Sequence, residues 1–412
     1  MLSVKAAVAR AIPVSGEKLV LLSSLSLGHT VMHCLQHGWY IMIPSVKQHF
    51  GFNDVQYGAI DSVRSLSAAF INLPAGAATD LMKQRWVLIL STSLLGIGLA
   101  YFLLGIASSL ALVMVAAALV GIAISLWHPP ALSTLSARMP ERLGLALSMH
   151  GMGGELGNTV GPLALGFLIS AVGWRVASQT VLVPLVVMAI VLWLVLRNIP
   201  GREGQNLSKR QYAGALKELF KNKAAMGVVL ARGVESMGTR SVLAFFPLYL
   251  QQDLGFSPPM AGAYYALMMG TGLISQPIMG HLSDTMGRKA VIVPSMVLLG
   301  TFTALLNWVG TGMGLIAVVV GIGLFVYALG AIIQAAAMDA PDEKTGAMTI
   351  GLLFASSAVF GIPSPVIAGT LSTAYGTTSV VFLYGGLAII AAAGIMAVLP
   401  MRSGQGHAGR HH

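Results

Sequence analysis

A chain of 412 residues that is 56% hydrophobic and only 9% charged has too few charged side chains to cover a soluble surface, because soluble domains are about 25% charged. Lipid is therefore the expected solvent for most of its surface. The net charge of +10 comes from basic residues gathered in a few loops, so it does not indicate a nucleic-acid partner.

Twelve apolar segments follow one another along the chain. Each is long enough to cross a bilayer as an α-helix, which takes about 20 residues. We therefore expect an all-α membrane protein with twelve transmembrane helices, and no cleavable signal peptide is visible at the amino terminus. The predicted spans are 20–46, 55–80, 86–107, 110–136, 143–171, 176–197, 225–251, 258–282, 290–309, 313–338, 345–373 and 377–399.

The basic loop residues lie almost entirely on one side of this predicted topology. With the amino terminus in the cytoplasm, only Lys47 and Arg175 of the 24 lysines and arginines lie in outer loops. The positive-inside rule then predicts that both termini are cytoplasmic. We expect an integral multi-pass protein of the bacterial inner membrane.

The chain divides into two similar halves around a polar segment. Pro44 in "YIMIPSV" and Pro247 in "AFFPLYL" lie 203 residues apart, and other short matches keep nearly the same offset. Several matches in register indicate a duplication. We predict an N-terminal six-helix bundle at 1–197, a cytoplasmic linker at 198–223 and a C-terminal six-helix bundle with a short cytoplasmic tail at 224–412.

The loop after the second helix of each half resembles the signature of the major facilitator superfamily. "GHLSDTMGRK" in the second half fits well, whereas "GAATDLMKQR" in the first half lacks the central glycine. The resemblance implies two pseudo-symmetric six-helix bundles that expose a midplane site alternately to each side, with the signature loops bracing the outward-facing state. The residues assigned to these loops are Gly76, Asp80, Arg85, Gly280, Asp284, Gly287 and Arg288.

The fifth helix carries "HGMGGELGNTVGPLALG" at residues 150–166. Gly157, Gly161 and Pro162 partly match the antiporter signature of proton-driven drug exporters. Glycines four apart let helices pack closely, and a proline bends its helix. The pair His128–Pro129 followed by "GLALS" resembles the fosmidomycin-resistance branch of the superfamily, which implies export of small drug-like or anionic molecules.

Three histidines stand four residues apart in the first span, at His29, His33 and His37. Residues at this spacing share one helix face, and ionisable side chains inside a membrane usually face the bundle interior. An offset of 203 aligns His29 with Arg232 and His37 with Arg240. We therefore expect the three rings to line a path between the halves, where they carry protons or bind an anion. The alternative is that one or more of them only hydrogen-bond to neighbouring helices.

Two acid–arginine pairs have a spacing of three residues, Asp61 with Arg64 and Arg232 with Glu235. Each pair is either a structural staple or a switch in which protonation of the acid frees the arginine, and the sequence leaves both readings open. Glu155 is the first candidate for the coupling proton and Asp61 the second. The residues expected to bind substrate are His29, His33, His37, Trp39, Arg64, Trp127, His128, Arg232, Arg240 and Tyr264, and those expected to carry protons are Asp61, Glu155 and Glu235.

The predicted function is a proton-coupled secondary transporter that exports a small organic molecule. The alternatives are a proton symporter that imports an organic anion, and a nontransporting receptor on a transporter fold. An enzyme is not expected, because no nucleophile elbow, HExxH helix or phosphate loop is present. We predict no cofactor and no metal site, and the expected partners of the monomer are its substrate, protons and lipid.

Overall fold

The computed structural model describes residues 16–81, 85–199, 223–338 and 343–399, with side chains described outside 72–81, 223–224, 337–338 and 343–351. The predicted linker therefore lies almost wholly outside the described residues. The described chain is helical throughout, as predicted. Its helices are α1 (Gly16–Phe50), α2 (Asp54–Leu81), α3 (Trp86–Gly105), α4 (Leu110–Ser125), α5 (His128–Arg138), α6 (Leu143–Thr180), α7 (Leu182–Leu196), α8 (Lys223–Gln252), α9 (Pro258–Met286), α10 (Arg288–Leu305), α11 (Met313–Val326), α12 (Ala328–Met338), α13 (Glu343–Gly361), α14 (Ser364–Tyr375) and α15 (Val380–Val398).

Helices cover every predicted span, although three spans are each built from two separate helices and the sixth from the end of α6 together with α7. The pairs α4–α5, α11–α12 and α13–α14 form the fourth, tenth and eleventh spans. Helix α6 covers the fifth span and continues into the sixth past a non-helical Gly173, with φ 77° and ψ 158°. Within the described residues, eight helices or joined helices are long and apolar enough to cross a membrane. The full count of twelve spans stays a prediction.

The two halves carry glycines with positive φ at two pairs of equivalent positions. Gly51 and Gly255, which the sequence comparison aligns, both have φ 69°. Gly173 and Gly376, also 203 residues apart, have φ 77° and 71° but differ in ψ, at 158° and 17°. Only glycine adopts this left-handed region without strain. The duplication inferred from short sequence matches is thus visible in the backbone.

Helix α6 packs along α1 through glycines one turn apart. A Cβ atom on each of them would lie 2.3 to 2.4 Å from a carbonyl oxygen of α1, so no side chain larger than hydrogen fits between the two backbones. We call this contact the glycine ladder. It joins Gly153 to Ser26, Gly157 to Thr30 and Gly161 to Cys34.

The halves contact each other at the end of the bundle that the topology predicts to be outer. Lys47 donates a hydrogen bond of 2.6 Å to Gln252 Oε1. Tyr57 Oη donates one of 2.7 Å to the carbonyl oxygen of Ala244. Helices α2 and α14 pack together on one side of this contact, and α6 and α9 on the other. The two halves are therefore closed against each other at this end.

At the opposite end of α1, Lys18 forms an ion pair with Glu141 in the turn between α5 and α6. The hydrogen bond from Lys18 lowers the pKa of this exposed carboxyl below its ordinary value. The contact places the two residues on the same side of the bundle, as the predicted topology requires.

Candidate substrate and proton site

The centre of the interface between the halves holds the ion pair of Asp61 and Arg64. Both residues are nearly buried, with exposed fractions of 5% and 7%. Arg64 donates from Nη2 at 2.6 Å and from Nε at 3.0 Å to Asp61 Oδ1. A third hydrogen bond of 2.6 Å runs from Arg64 to the hydroxyl of Tyr40, so the arginine is held by a carboxylate and an aromatic residue together. Asp61 Oδ2 is buried without a hydrogen-bond partner.

Two side-chain contacts cross from this centre to the second half. Arg240 donates a hydrogen bond of 2.8 Å to Ser65 Oγ. His37 Nδ1 lies 3.1 Å from the hydroxyl of Tyr265, and the rings of Tyr265 and Tyr40 are stacked at 6.0 Å. The cationic and aromatic groups of the two halves thus meet in one place.

The second half holds its own acid–arginine pair on α8. Glu235 is fully buried and forms an ion pair with Arg232. Its second oxygen accepts a hydrogen bond of 2.6 Å from Thr239. Both ion pairs expected from the spacing of three residues are formed, one in each half.

The histidine stripe is divided between two environments. His37 faces Tyr265 of the second half, as expected for all three rings. His29 instead lies 2.7 Å from the carbonyl oxygen of His150, and His33 lies 2.7 Å from Asn158 Oδ1. These partners lie on α6, because the glycine ladder brings that helix against the same face of α1. The placement of His29 and His33 therefore differs from the predicted path between the halves.

Glu155 lies on α6 at its contact with α9 and is half-buried. Its Oε2 accepts a hydrogen bond of 3.1 Å from Asn158, and its carboxylate also contacts the side chain of Gln276 on α9. Among the described side chains, its partners are neutral amides, in contrast to the arginine partners of Asp61 and Glu235. This acid is therefore chemically distinct from the other two.

The aromatic residues named from the sequence lie partly elsewhere. Trp39 and Trp127 are buried in the first half, and Trp39 packs edge-on against Tyr101 at 5.7 Å. Tyr264 packs against Phe256 at 5.4 Å, near the outer end. These placements favour packing roles and differ from the predicted substrate contacts. The aromatic residues at the centre are Tyr40, Tyr265 and Tyr327, the last with its ring 6.4 Å from His37.

The signature loop of the second half has a clear structural basis. Gly287 connects α9 to α10 with φ 95°, a conformation that favours glycine. Asp284 pairs with Arg288 at the start of α10. In the first half, Arg85 is exposed, and the side chains of Gly76 and Asp80 lie outside the described residues. The bracing role expected for these loops stays a prediction.

An all-helical bundle in two repeated halves, with buried charges where the halves meet, defines a multi-pass membrane transporter. The Major Facilitator Superfamily model matches residues 25–234 and 228–410, and the chain belongs to this superfamily. It is accordingly a transporter and not an enzyme, as predicted.

Two curated relatives give a narrower comparison. The fosmidomycin resistance protein of Escherichia coli (strain K12) is 28% identical over 300 residues, 70% of this chain and 72% of that protein. This relative confirms the predicted resemblance to the fosmidomycin-resistance branch. A probable nitrate transporter, NarT, of Staphylococcus haemolyticus (strain JCSC1435) is 20% identical over 258 residues, 63% of this chain and 65% of that protein.

Solved structures share the fold. A bacterial homologue of the human lysosomal transporter Spinster, in an inward-facing and unoccupied conformation, superimposes with a TM-score of 0.76 at 16% identity, over 94% of this chain and 96% of that chain. The nucleoside transporter NupG superimposes with a TM-score of 0.75 at 15% identity, over 92% of this chain and 99% of that chain. At these identities the likeness concerns the fold alone, and it confirms the predicted fold class.

Proposed function

We propose that this chain is a proton-coupled exporter that moves a small organic molecule, anionic or amphipathic, by alternating access. The observation that carries the proposal is the set of buried charges where the halves meet. Arg64 and Arg240 lie there with Asp61. Charged groups buried in a membrane protein are costly, so their presence supports a role in binding or coupling.

The composition of this centre supports an anionic or amphipathic substrate. The arginines offer hydrogen-bond donors suited to carboxylates and phosphates. The stacked rings of Tyr40 and Tyr265 add an aromatic surface. Such a mixed surface suits an organic molecule better than a bare ion. One relative is named for resistance to fosmidomycin and the other as a probable transporter of nitrate, an anion.

Glu155 is the proposed carrier of the coupling proton. Protonation of Asp61 or Glu235 would break an ion pair and leave an uncompensated arginine in a low-dielectric site. Protonation of Glu155 breaks no such pair among the described side chains. Its contact with Gln276 on the second half supports this role, because alternating access requires the two halves to move relative to each other.

The proposed arrangement in the cell is a monomer in the bacterial inner membrane, surrounded by lipid, with both termini in the cytoplasm. Contacts at the end that carries Lys47 and Gln252 support an inward-facing state under this topology. The bacterial homologue of Spinster, which shares the fold, has been solved in an inward-facing conformation as well.

The direction of coupling is tested in proteoliposomes with fosmidomycin and nitrate as probes. An exporter working by proton antiport takes up the probe when the lumen is more acidic than the medium. A proton symporter takes it up when the lumen is more alkaline, and a nontransporting receptor moves it under neither gradient. Uptake driven only by an alkaline lumen, or no uptake at all, would overturn the proposal of export.

A further inference from the structure

Four histidine rings, contributed by three helices, gather within the first half. His29 and His33 come from α1, His128 begins α5, and His150 lies on α6. The ring centroids of His29 lie 4.3 Å from His33, 5.2 Å from His128 and 3.9 Å from His150. One ring nitrogen each of His29, His33 and His128 lies within 4.8 Å of the other two. We call these three residues the histidine cluster.

The hydrogen bonds of the cluster determine which nitrogens are free. His29 Nδ1 lies 2.7 Å from a backbone carbonyl oxygen, which only accepts hydrogen bonds. His33 Nδ1 lies 2.7 Å from Asn158 Oδ1, and Asn158 is oriented by donating from Nδ2 to Glu155. Both histidines therefore carry their proton on Nδ1 in the neutral form, and the lone pair lies on Nε2.

Both Nε2 atoms are buried and have no hydrogen-bond partner. A buried lone pair left without a donor is costly. The arrangement matches that of metal-binding histidines, which donate one ring N–H to a carbonyl or amide oxygen and offer the other nitrogen to the ion. Behind Asn158, Glu155 supplies a negative charge that offsets part of the charge of a divalent ion.

The surrounding backbone leaves room for these rings. A Cβ atom on Gly154 would lie 2.7 Å from His29 Cε1, and one on Gly28 would lie 2.3 Å from the ring of Trp127 beside the cluster. His33 and His128 are only partly buried, so part of the cluster borders on exposed space.

We propose that the histidine cluster binds a divalent transition-metal ion of the zinc class. Imidazole nitrogen suits zinc, copper, nickel and cobalt better than magnesium or calcium. A tetrahedral ion with bonds of about 2.0–2.1 Å needs ligand nitrogens about 3.3 Å apart. Side-chain rotations that move each ligand nitrogen by roughly 1 Å bring the three nitrogens to this spacing. The fourth position on the ion takes water or an anion.

The ion is a resident of the first half rather than cargo. All three ligands come from α1 and α5 of one half, whereas an alternating-access substrate site lies between the halves. The bound ion ties α1 to the point where the fourth span breaks between α4 and α5. Its removal loosens the first half while the contacts of Arg64 and Arg240 remain.

The test uses the full chain without an affinity tag and with His407, His411 and His412 replaced by Ala, so that these tail histidines do not bind metal. Zn²⁺ is titrated by calorimetry, and Co²⁺ is followed by its visible absorption spectrum. The expected result is one ion per chain, a tetrahedral Co²⁺ spectrum, and an unfolding temperature raised by Zn²⁺ but not by Mg²⁺.

Single substitutions assign the ligands. His29→Gln, His33→Gln and His128→Gln should each weaken Zn²⁺ binding at least about tenfold, and Asn158→Leu should weaken it by about ten- to a hundredfold through the orientation of His33. His37→Gln is the matched control, because His37 lies one turn further along α1 and contacts Tyr265 instead. Monodisperse elution and an unchanged far-UV spectrum establish that each variant is folded.

The proposal is overturned if the parent chain binds no Zn²⁺, or if His37→Gln weakens binding as much as His33→Gln does. Should the ligand variants fail to fold, the unfolding temperature of the parent is compared with and without Zn²⁺. No rise with Zn²⁺ would overturn the proposal. None of these results depends on proton coupling or on the transported molecule, so a failure here leaves the transport proposal intact.

Discussion

Gly58 on α2 lies against the carbonyl oxygen of Pro365 on α14, so closely that a Cβ atom on the glycine would be 2.0 Å from it. The second half repeats this contact. A Cβ atom on Gly262 of α9 would lie 2.4 Å from the carbonyl oxygen of Pro162 on α6. The two halves therefore close on each other through a reciprocal pair of glycine–carbonyl contacts, one on each side of the interface.

Substitution of Gly58 should weaken the closed outer end. A leucine there would meet backbone, which cannot move aside, and overpacking of this kind costs about 1–3 kcal/mol. In Gly58→Leu, spin labels at Lys47→Cys and Gln252→Cys should report longer and broader distances than in the parent, with Cys34 replaced by Ala. Gly394→Leu is the control, since nothing lies within 4 Å of its Cβ position. Equal distance distributions in both variants would contradict this account of the contact.

The buried pair of Asp61 and Arg64 should behave as a unit in stability measurements. Removal of one member leaves the other charge unpaired in the interior, at a cost of about 3–5 kcal/mol. Asp61→Asn should therefore lower the unfolding temperature strongly, whereas Asp61→Asn with Arg64→Gln should recover much of the loss. The double-mutant cycle, measured by thermal unfolding in detergent, gives the interaction free energy between the two side chains.

The pair of Asp284 and Arg288, in which the acid is exposed, is the control for this cycle. It has comparable sequence spacing, but the Asp284 side chain is 63% exposed, and surface pairs contribute only about 0–1 kcal/mol. The same cycle there should give a coupling near zero. A coupling of equal size in both pairs would show that burial does not set the strength of the central pair.

Glu155→Gln should abolish transport driven by a pH gradient and spare substrate binding. The amide keeps the shape and the contacts with Asn158 and Gln276 but cannot exchange a proton. Gradient-driven flux and probe affinity are measured separately in the same proteoliposome preparation. Glu141→Gln is the control, because it removes an exposed carboxyl outside the spans. If Glu155→Gln still couples to the gradient, the role passes to Asp61 or Glu235.

The predicted topology is tested by cysteine labelling in a Cys34→Ala background. Ser108 and Arg142 are both exposed and lie in loops that the topology assigns to opposite sides. An impermeant maleimide added to intact cells should label Ser108→Cys and leave Arg142→Cys unlabelled until the membrane is opened. The reverse pattern would invert the assignment.

Features that depend on local spacing were predictable from the sequence, and those that depend on the choice of partner were not. A spacing of three residues predicts the ion pair of Asp61 and Arg64, because the helix itself brings the side chains together. The partners of His33 come from distant segments of the chain, so its turn toward Asn158 carried no local signal. The spacing of His29 and His33, four apart on one helix, is compatible with the metal site that we propose, but the third ligand, His128, comes from a distant segment.

The glycine ladder also restricts how the first half moves. Because carbonyl oxygens of α1 lie directly against Gly153, Gly157 and Gly161 at every turn, neither helix slides or rotates along the other without separating from it. We therefore expect α1 and α6 to move as one rigid unit. Bending of the first half is then expected at the break around Trp127, where α-helical hydrogen bonding is interrupted, so that the fourth span is its hinge.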